Sequence, residues 1–293
     1  MAHRMAIGLG MPYYESGHVR LEYRTLGPDH AEIVVHLHGF PQPSDVWMPI
    51  ADRLQQEGFR SLILNQRGYP DTQVPRGVRN YRLRLLVDDV IGLLESIGST
   101  SAHIVGHDWG GSVAWSLAHR RPDLVKSLTV ISMPHPQALA RSLLVSSQAL
   151  RSWYVIPLMI PSLVEQVARF FPRLAQAWLA STGLDDKTAE AHLERMQEGP
   201  HGLTGPLNWY RAIPLNIMQE PWNLPITPRT LYIWSRGDQV VTVAAAKLTR
   251  RYVAGPFDFE EIDGSHWLPE EHSTALVELL LQHFRGGRAR IAP

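Results

Sequence analysis

Short apolar runs alternating with segments of helical period constrain this chain more than any other feature. The runs are Ile33–Leu37, Ser61–Leu64, Ala102–Val105 and Leu128–Ile131. Because they are apolar throughout rather than at every second position, they read as strands covered on both faces, as in a parallel sheet with helical crossovers. The intervening helices are marked by Trp47, Ile50, Ala51 and Leu54 after Ser44 as cap, and by Leu83, Leu86, Val87, Val90 and Leu94 before Gly98. A third is expected over Ser112–His119, stopped ahead of Pro122. In front of the first run, Val19, Leu21 and Tyr23 alternate with charged residues after a Ser16–Gly17 turn, the pattern of an antiparallel hairpin.

Strand signals resume at Thr230–Trp234 and Phe257–Ile262, and a helix over Thr274–Phe284 closes the chain. From residue 137 to about 220 the texture is helical, rich in Leu, Trp, Pro and Met, with no strand. The expected fold class is therefore α/β: a mostly parallel central sheet with helices on both faces, formed by residues 1–136 and 221–293. An all-helical cap, 137–220, is inserted into it.

A chain of 293 residues with 44% hydrophobic content can bury a core of this size. Lys plus Arg equals Asp plus Glu at 28 each, so no net field pulls the chain toward nucleic acid or an anionic membrane. With no cysteine, thiolate chemistry and disulfides are excluded. The opening MAHRMAIGLGMP lacks the apolar core of a secretion signal, and no charge-free run approaches the roughly 20 residues that span a bilayer. The expected location is cytoplasmic.

Chemistry concentrates at the ends of the strands. In Gly106-His107-Asp108-Trp109-Gly110-Gly111, small residues flank a carboxylate between a strand and a helix, which lets Asp108 adopt a strained turn that thrusts its side chain into a cleft. The N–H groups of the following helix would lower its pKa and leave it an ionised nucleophile. The alternative is a helix-capping Asp. Asp238, in WSRGD, and His266, in GSHW, follow later strands, so nucleophile, acid and histidine occur in the order of a Ser-type elbow architecture. Any one of 14 histidines could equally be structural. The loop His38-Gly39-Phe40-Pro41 follows the first run, where the N–H of Phe40, paired with that of Trp109, can form an oxyanion hole; an ordinary strand-ending turn is the alternative.

Taken together, HGFP, QRGY, GHDWGG, WSRGD and GSHWLPEE resemble the epoxide hydrolases of the α/β-hydrolase superfamily, over nearly the whole chain. In that family two cap tyrosines hydrogen-bond to the epoxide oxygen. PLNWYR resembles the second tyrosine motif and points to Tyr210. Ser152-Trp153-Tyr154 resembles the first and points to Tyr154, although Pro157, Leu158 and Met159 stand where the family often has an aromatic and a Gln. Either ring could instead serve only packing.

The resemblance implies attack by Asp108 on an epoxide, hydrolysis of the ester by water that His266 and Asp238 activate, and release of a vicinal diol. It implies no metal or organic cofactor. The expected partners are a small apolar epoxide and water, with no nucleic acid and no membrane span, and a homodimer left open. The cap residues Trp153, Ile156, Leu158, Met159, Ile160, Phe170, Phe171 and Trp178 suggest an apolar pocket for a lipophilic substrate. Three alternatives remain. A haloalkane dehalogenase would need Trp109 and a second halide donor, with Phe40 where an Asn is typical and Trp153 or Trp209 as substitutes. A fluoroacetate dehalogenase would carry arginines where Trp109 and Ser112 stand. A silent binding protein on the same fold would retain the architecture without turnover.

Overall fold

The computed structural model describes residues 11–198, 202–219 and 222–290. The opening segment read for a secretion signal therefore lies largely outside the described residues. Among the described residues, eight strands form one open sheet: β1 (Tyr13–Ser16), β2 (Val19–Leu26), β3 (Glu32–Leu37), β4 (Phe59–Leu64), β5 (Ala102–His107), β6 (Val125–Ile131), β7 (Thr230–Ser235) and β8 (Phe257–Ile262). Their order is β1-β2-β4-β3-β5-β6-β7-β8. The hairpin strands pair antiparallel, and β2 runs antiparallel to β4; every later pairing is parallel.

Helices α1 (Met48–Gln56), α2 (Leu83–Ser96) and α3 (Trp109–Arg120) cross between the early strands. Ser44 does not cap α1. It opens a 3₁₀ turn, Ser44–Trp47, and α1 begins at Met48 with no side-chain cap, its start favoured by Pro49 in the first turn. The third helix starts three residues earlier than expected, because the chain turns into it directly at Asp108.

Period-two alternation splits the core between the two faces. Val34, Ile63, Val105 and Ile233 bury against α1 and the closing helix, whereas Val35, Leu62, Ile104 and Tyr232 fall in the cluster on the other face with α2 and α3. Each such side chain, fully buried, contributes about 1.5–3 kcal/mol of hydrophobic stabilisation.

Between β6 and β7, the described residues are helical: α4 (Pro136–Val145), α5 (Gln148–Arg151), α6 (Val155–Met159), α7 (Leu163–Phe170), α8 (Pro172–Ala180), α9 (Asp186–Gln197), α10 (Thr204–Arg211) and α11 (Ile213–Gln219). Three more follow: α12 (Val243–Leu248), α13 (Leu268–Glu271) and α14 (Ser273–Phe284). Among the inserted helices, α4 lies against α12, and α10 lies against α6. Gly205 of α10 meets Gly68 backbone to backbone; a Cβ on Gly205 would stand 2.0 Å from the Gly68 carbonyl oxygen. Trp209 then donates its indole N–H to the Arg67 carbonyl at 3.0 Å, so α10 is fastened to the QRGY loop. Among the described residues, no helix is long and apolar enough to cross a membrane.

Candidate active site

The chain leaves β3 for β4 on one side and returns to β5 on the other, so the loops after β3 and β5 diverge and open a crevice at their carboxyl ends. Asp108 stands at this switch point. Its φ of 49° and ψ of −121° are rare for a residue with a side chain, and such strain costs on the order of 1–3 kcal/mol. The flanking glycines make the turn possible: a Cβ on Gly106 would lie 2.4 Å from the Gly110 carbonyl oxygen, and one on Gly110 would lie 2.1 Å from that of Leu37. The Asp108 carboxylate makes no capping bond to α3, which sets aside the capping alternative.

The HGFP loop meets this carboxylate. The Phe40 N–H donates to Asp108 Oδ1 at 3.0 Å, and the Phe40–Pro41 peptide is cis. Trp109 begins α3, its ring edge-on to Tyr210 with centroids 5.1 Å apart. Asp238 follows β7; its Oδ1 accepts the N–H groups of Val240 and Val241 at 2.7 and 2.8 Å, and its Oδ2 lies 3.0 Å from His266 Nδ1. His266 follows β8 and turns Nε2 to within 3.5 Å of Asp108 Oδ2. The three residues expected to act together, far apart in sequence, are thus in one line, all nearly inaccessible to solvent.

Burial alone would raise the Asp108 pKa, but it is held below the usual carboxylate range by the hydrogen bond and charge of His266, then by His107 and the Phe40 N–H. The main lowering influence is the His266 imidazole. On His266, burial opposes the charge; the Asp238 and Asp108 carboxylates prevail and push its pKa up to about 10.

Tyr154 and Tyr210 line the same cavity as Phe40, Asp108 and His266. Tyr210 is edge-on to Phe40 at 5.3 Å, and Tyr154 packs against Trp178 at 5.6 Å. Burial, followed by the Asp108 charge, raises both phenol pKa values, so the hydroxyls stay protonated. The cavity is only about 20 Å³, room for about one water, and its remaining walls include Trp178, Leu179, Val240 and Trp267. Larger cavities, about 500 and 300 Å³, lie beside residues 68–75 and along β8, away from these groups. Among the described residues, no group of three or more His, Asp or Glu is placed to hold a metal ion.

One expectation fails. Trp153, Ile156, Ile160, Phe170 and Phe171 do not line the pocket; all are exposed, while Leu158, Ala168 and Leu179 take the inward positions of their helices. Of the eight candidates Trp178 alone lines the cavity, while Leu158 is buried in the core and Met159 packs against it.

The sequence reading also missed a buried polar chain behind His266. His107 Nε2 lies 2.9 Å from the His266 carbonyl oxygen, and its Nδ1 lies 2.7 Å from Gln42 Oε1. Gln42 donates to Glu270 at 2.7 Å, and His192 of α9 reaches the same carboxylate oxygen at 3.2 Å. His107 and Glu270 sit inside the recognised motifs and Gln42 directly follows one, which was the available signal.

The family described as the alpha/beta hydrolase fold matches residues 32–273. An AB hydrolase superfamily protein of Bacillus subtilis, YfhM, is 30% identical over 95% of this chain and 99% of its own length. Human epoxide hydrolase 4 is 30% identical over 89% of this chain and 75% of its own. The crystal structure of epoxide hydrolase A from Mycobacterium thermoresistibile is similar with a TM-score of 0.81 at 23% identity, covering 96% of this chain and 99% of that one.

Proposed function

The chain belongs to the epoxide hydrolases of the α/β-hydrolase superfamily, and from that membership we propose that it opens a lipophilic epoxide to a vicinal diol through an ester on Asp108. The observation that carries this reading is the meeting of Asp108, His266, Tyr154 and Tyr210 around one small cavity, with the Phe40 N–H on the carboxylate. In this reading residues 137–220 form the cap that brings the tyrosines to a core of residues 1–136 and 221–293. We assign the enzyme to the cytoplasm.

One Asp108 oxygen attacks an epoxide carbon and the carbon–oxygen bond of the ring breaks. The departing oxygen takes hydrogen bonds from Tyr154 and Tyr210 and a proton from one of them, which His266 later restores, leaving a hydroxy ester. Esterification removes the Asp108 charge, and with it part of what keeps His266 protonated. His266, held by Asp238, can then shed its proton and act as base. It takes a proton from water, and the resulting hydroxide adds to the ester carbonyl. The Phe40 and Trp109 N–H groups hold the oxyanion until the bond to the diol oxygen breaks; that oxygen takes the proton from His266, and the restored Asp108 carboxyl gives its own proton back to His266. Side chains and water serve every step, so the scheme calls on no metal or organic cofactor.

The dehalogenase reading finds less support. The Trp209 N–H is spent on Arg67, and Trp153 is exposed, so neither substitutes for the second halide donor.

Single turnover in heavy-oxygen water tests the scheme. The first diol should carry an oxygen from Asp108 and none from solvent, with label entering the carboxylate; solvent oxygen in the first diol would overturn it. A panel pairing styrene-like, terminal alkyl and fatty-acid epoxides with matching alkyl bromides should give diol without halide release.

A further inference from the structure

The apolar residues that failed to line the pocket stand exposed on the inserted helices. Leu144 lies in the last turn of α4, Leu150 lies on α5, Trp153 and Ile156 lead into and along α6, and Phe170 and Phe171 join α7 to α8; each is more than half exposed. Helix α4 neighbours α5, and α6 neighbours α7, which in turn neighbours α8, so the exposed residues fall on two groups of adjoining helices. A single exposed leucine needs no explanation, but a run of this kind across adjoining helices marks a surface built to meet something apolar.

The charge around it says what. The chain as a whole is balanced, yet from residue 136 to 184 its only acidic residue is Glu165, against four arginines: Arg151, which turns onto the Asp238 and Val241 carbonyls, and Arg141, Arg169 and Arg173. Glu165 is tied to Arg211 at 2.9 Å. Arg141, Arg169 and Arg173 are exposed, and Arg169 lies over the Phe170 ring at 5.3 Å. Whole-chain neutrality, which argued against an anionic surface, conceals this local excess.

We propose that this face docks on an anionic lipid bilayer. The aromatic and aliphatic side chains enter the boundary between headgroups and acyl chains, and Arg141, Arg169 and Arg173 lie against lipid phosphates. A second copy of this chain fits less well, because a two-fold pairing through this face sets the same arginines near one another. Trp153 is adjacent to Tyr154, which lines the catalytic cavity, so the docked face lies close to where a lipophilic molecule would enter. The proposal does not depend on the epoxide reading.

Flotation of the full chain with vesicles tests it, using phosphatidylcholine alone and phosphatidylcholine mixed with phosphatidylglycerol. The protein should float with the mixed vesicles, much less with phosphatidylcholine, and come off as salt rises. Arg169→Gln with Arg173→Gln should weaken binding roughly 30-fold, and Phe170→Ser with Phe171→Ser about tenfold or more. Circular dichroism and the thermal midpoint confirm that the variants fold, and neither readout requires turnover. Failure to float with anionic vesicles overturns the proposal, as does equal flotation of wild type and folded variants. So does a wild-type dimer that the substitutions dissociate while vesicles bind none of the proteins, which would make the face a contact between copies.

Discussion

In the proposed scheme Asp108 has to be ionised and yet poorly hydrated, and its surroundings supply both conditions. Burial strips water from the carboxylate while His266 and the Phe40 N–H keep it charged. Because its pKa lies below the usual range, Asp108 stays ionised as pH falls, whereas ester breakdown in the proposed scheme needs His266 without its proton. Lowering the pH should therefore slow hydrolysis before alkylation, and the ester should accumulate in single-turnover experiments read by quenched intact-mass spectrometry. His266→Gln should trap the same adduct at every pH. Tyr210→Phe should slow ester formation on the order of a hundredfold while leaving the folded structure intact, checked by stopped-flow kinetics beside circular dichroism. Asp108, Asp238 and His266 were legible because each stands just past a strand among small or turn-forming residues. Gln42, His107 and Glu270 were not, since their roles depend on partners 65 to 228 positions away that no local pattern announces.

At the scale of elements, glycine sets two close approaches that place the chemistry. Gly110 lets α3 start against the end of β3, so Gly110→Ala should cost roughly 1–3 kcal/mol, seen as a lower urea midpoint. Gly205 lets α10 sit on the Gly68 backbone. Gly205→Ala should displace α10, and Tyr210 with it, lowering kcat on the order of a hundredfold at a smaller cost in urea midpoint. The strands and crossovers could be read from apolar runs because burial on both faces dictates them directly. The inserted helices could be recognised as helices but not phased. Their apolar residues occupy both inward and outward faces, and only packing against the core distinguishes Leu158 from Ile156.

For the whole molecule, buried histidines set the range of pH over which the fold holds. Burial pulls His36, His135 and His283 down to about 3 and His38 to about 4. They stay neutral when folded but take protons when unfolded, so their stabilisation is complete above about pH 6.5 and lost as pH falls toward those values, by about 2 kcal/mol each near pH 5. His266 has the opposite sign: its contribution is complete below about pH 6.5 and lost as pH rises toward about 10. Urea midpoints should therefore peak near neutrality and fall on both sides, and His266→Gln should flatten only the alkaline decline.

The pairing of β6 with β7 has a consequence for how the chain reaches this state. Val130 lies opposite Tyr232, and the intervening stretch must be spanned before that contact forms. Closing a loop of about 100 residues costs only about 2 kcal/mol more than closing one of ten, so the insertion weighs little at equilibrium. The search for the contact is another matter. Folding of the sheet should wait on that distant encounter, leaving the edge of β6 open on the ribosome until nearly all the chain has emerged.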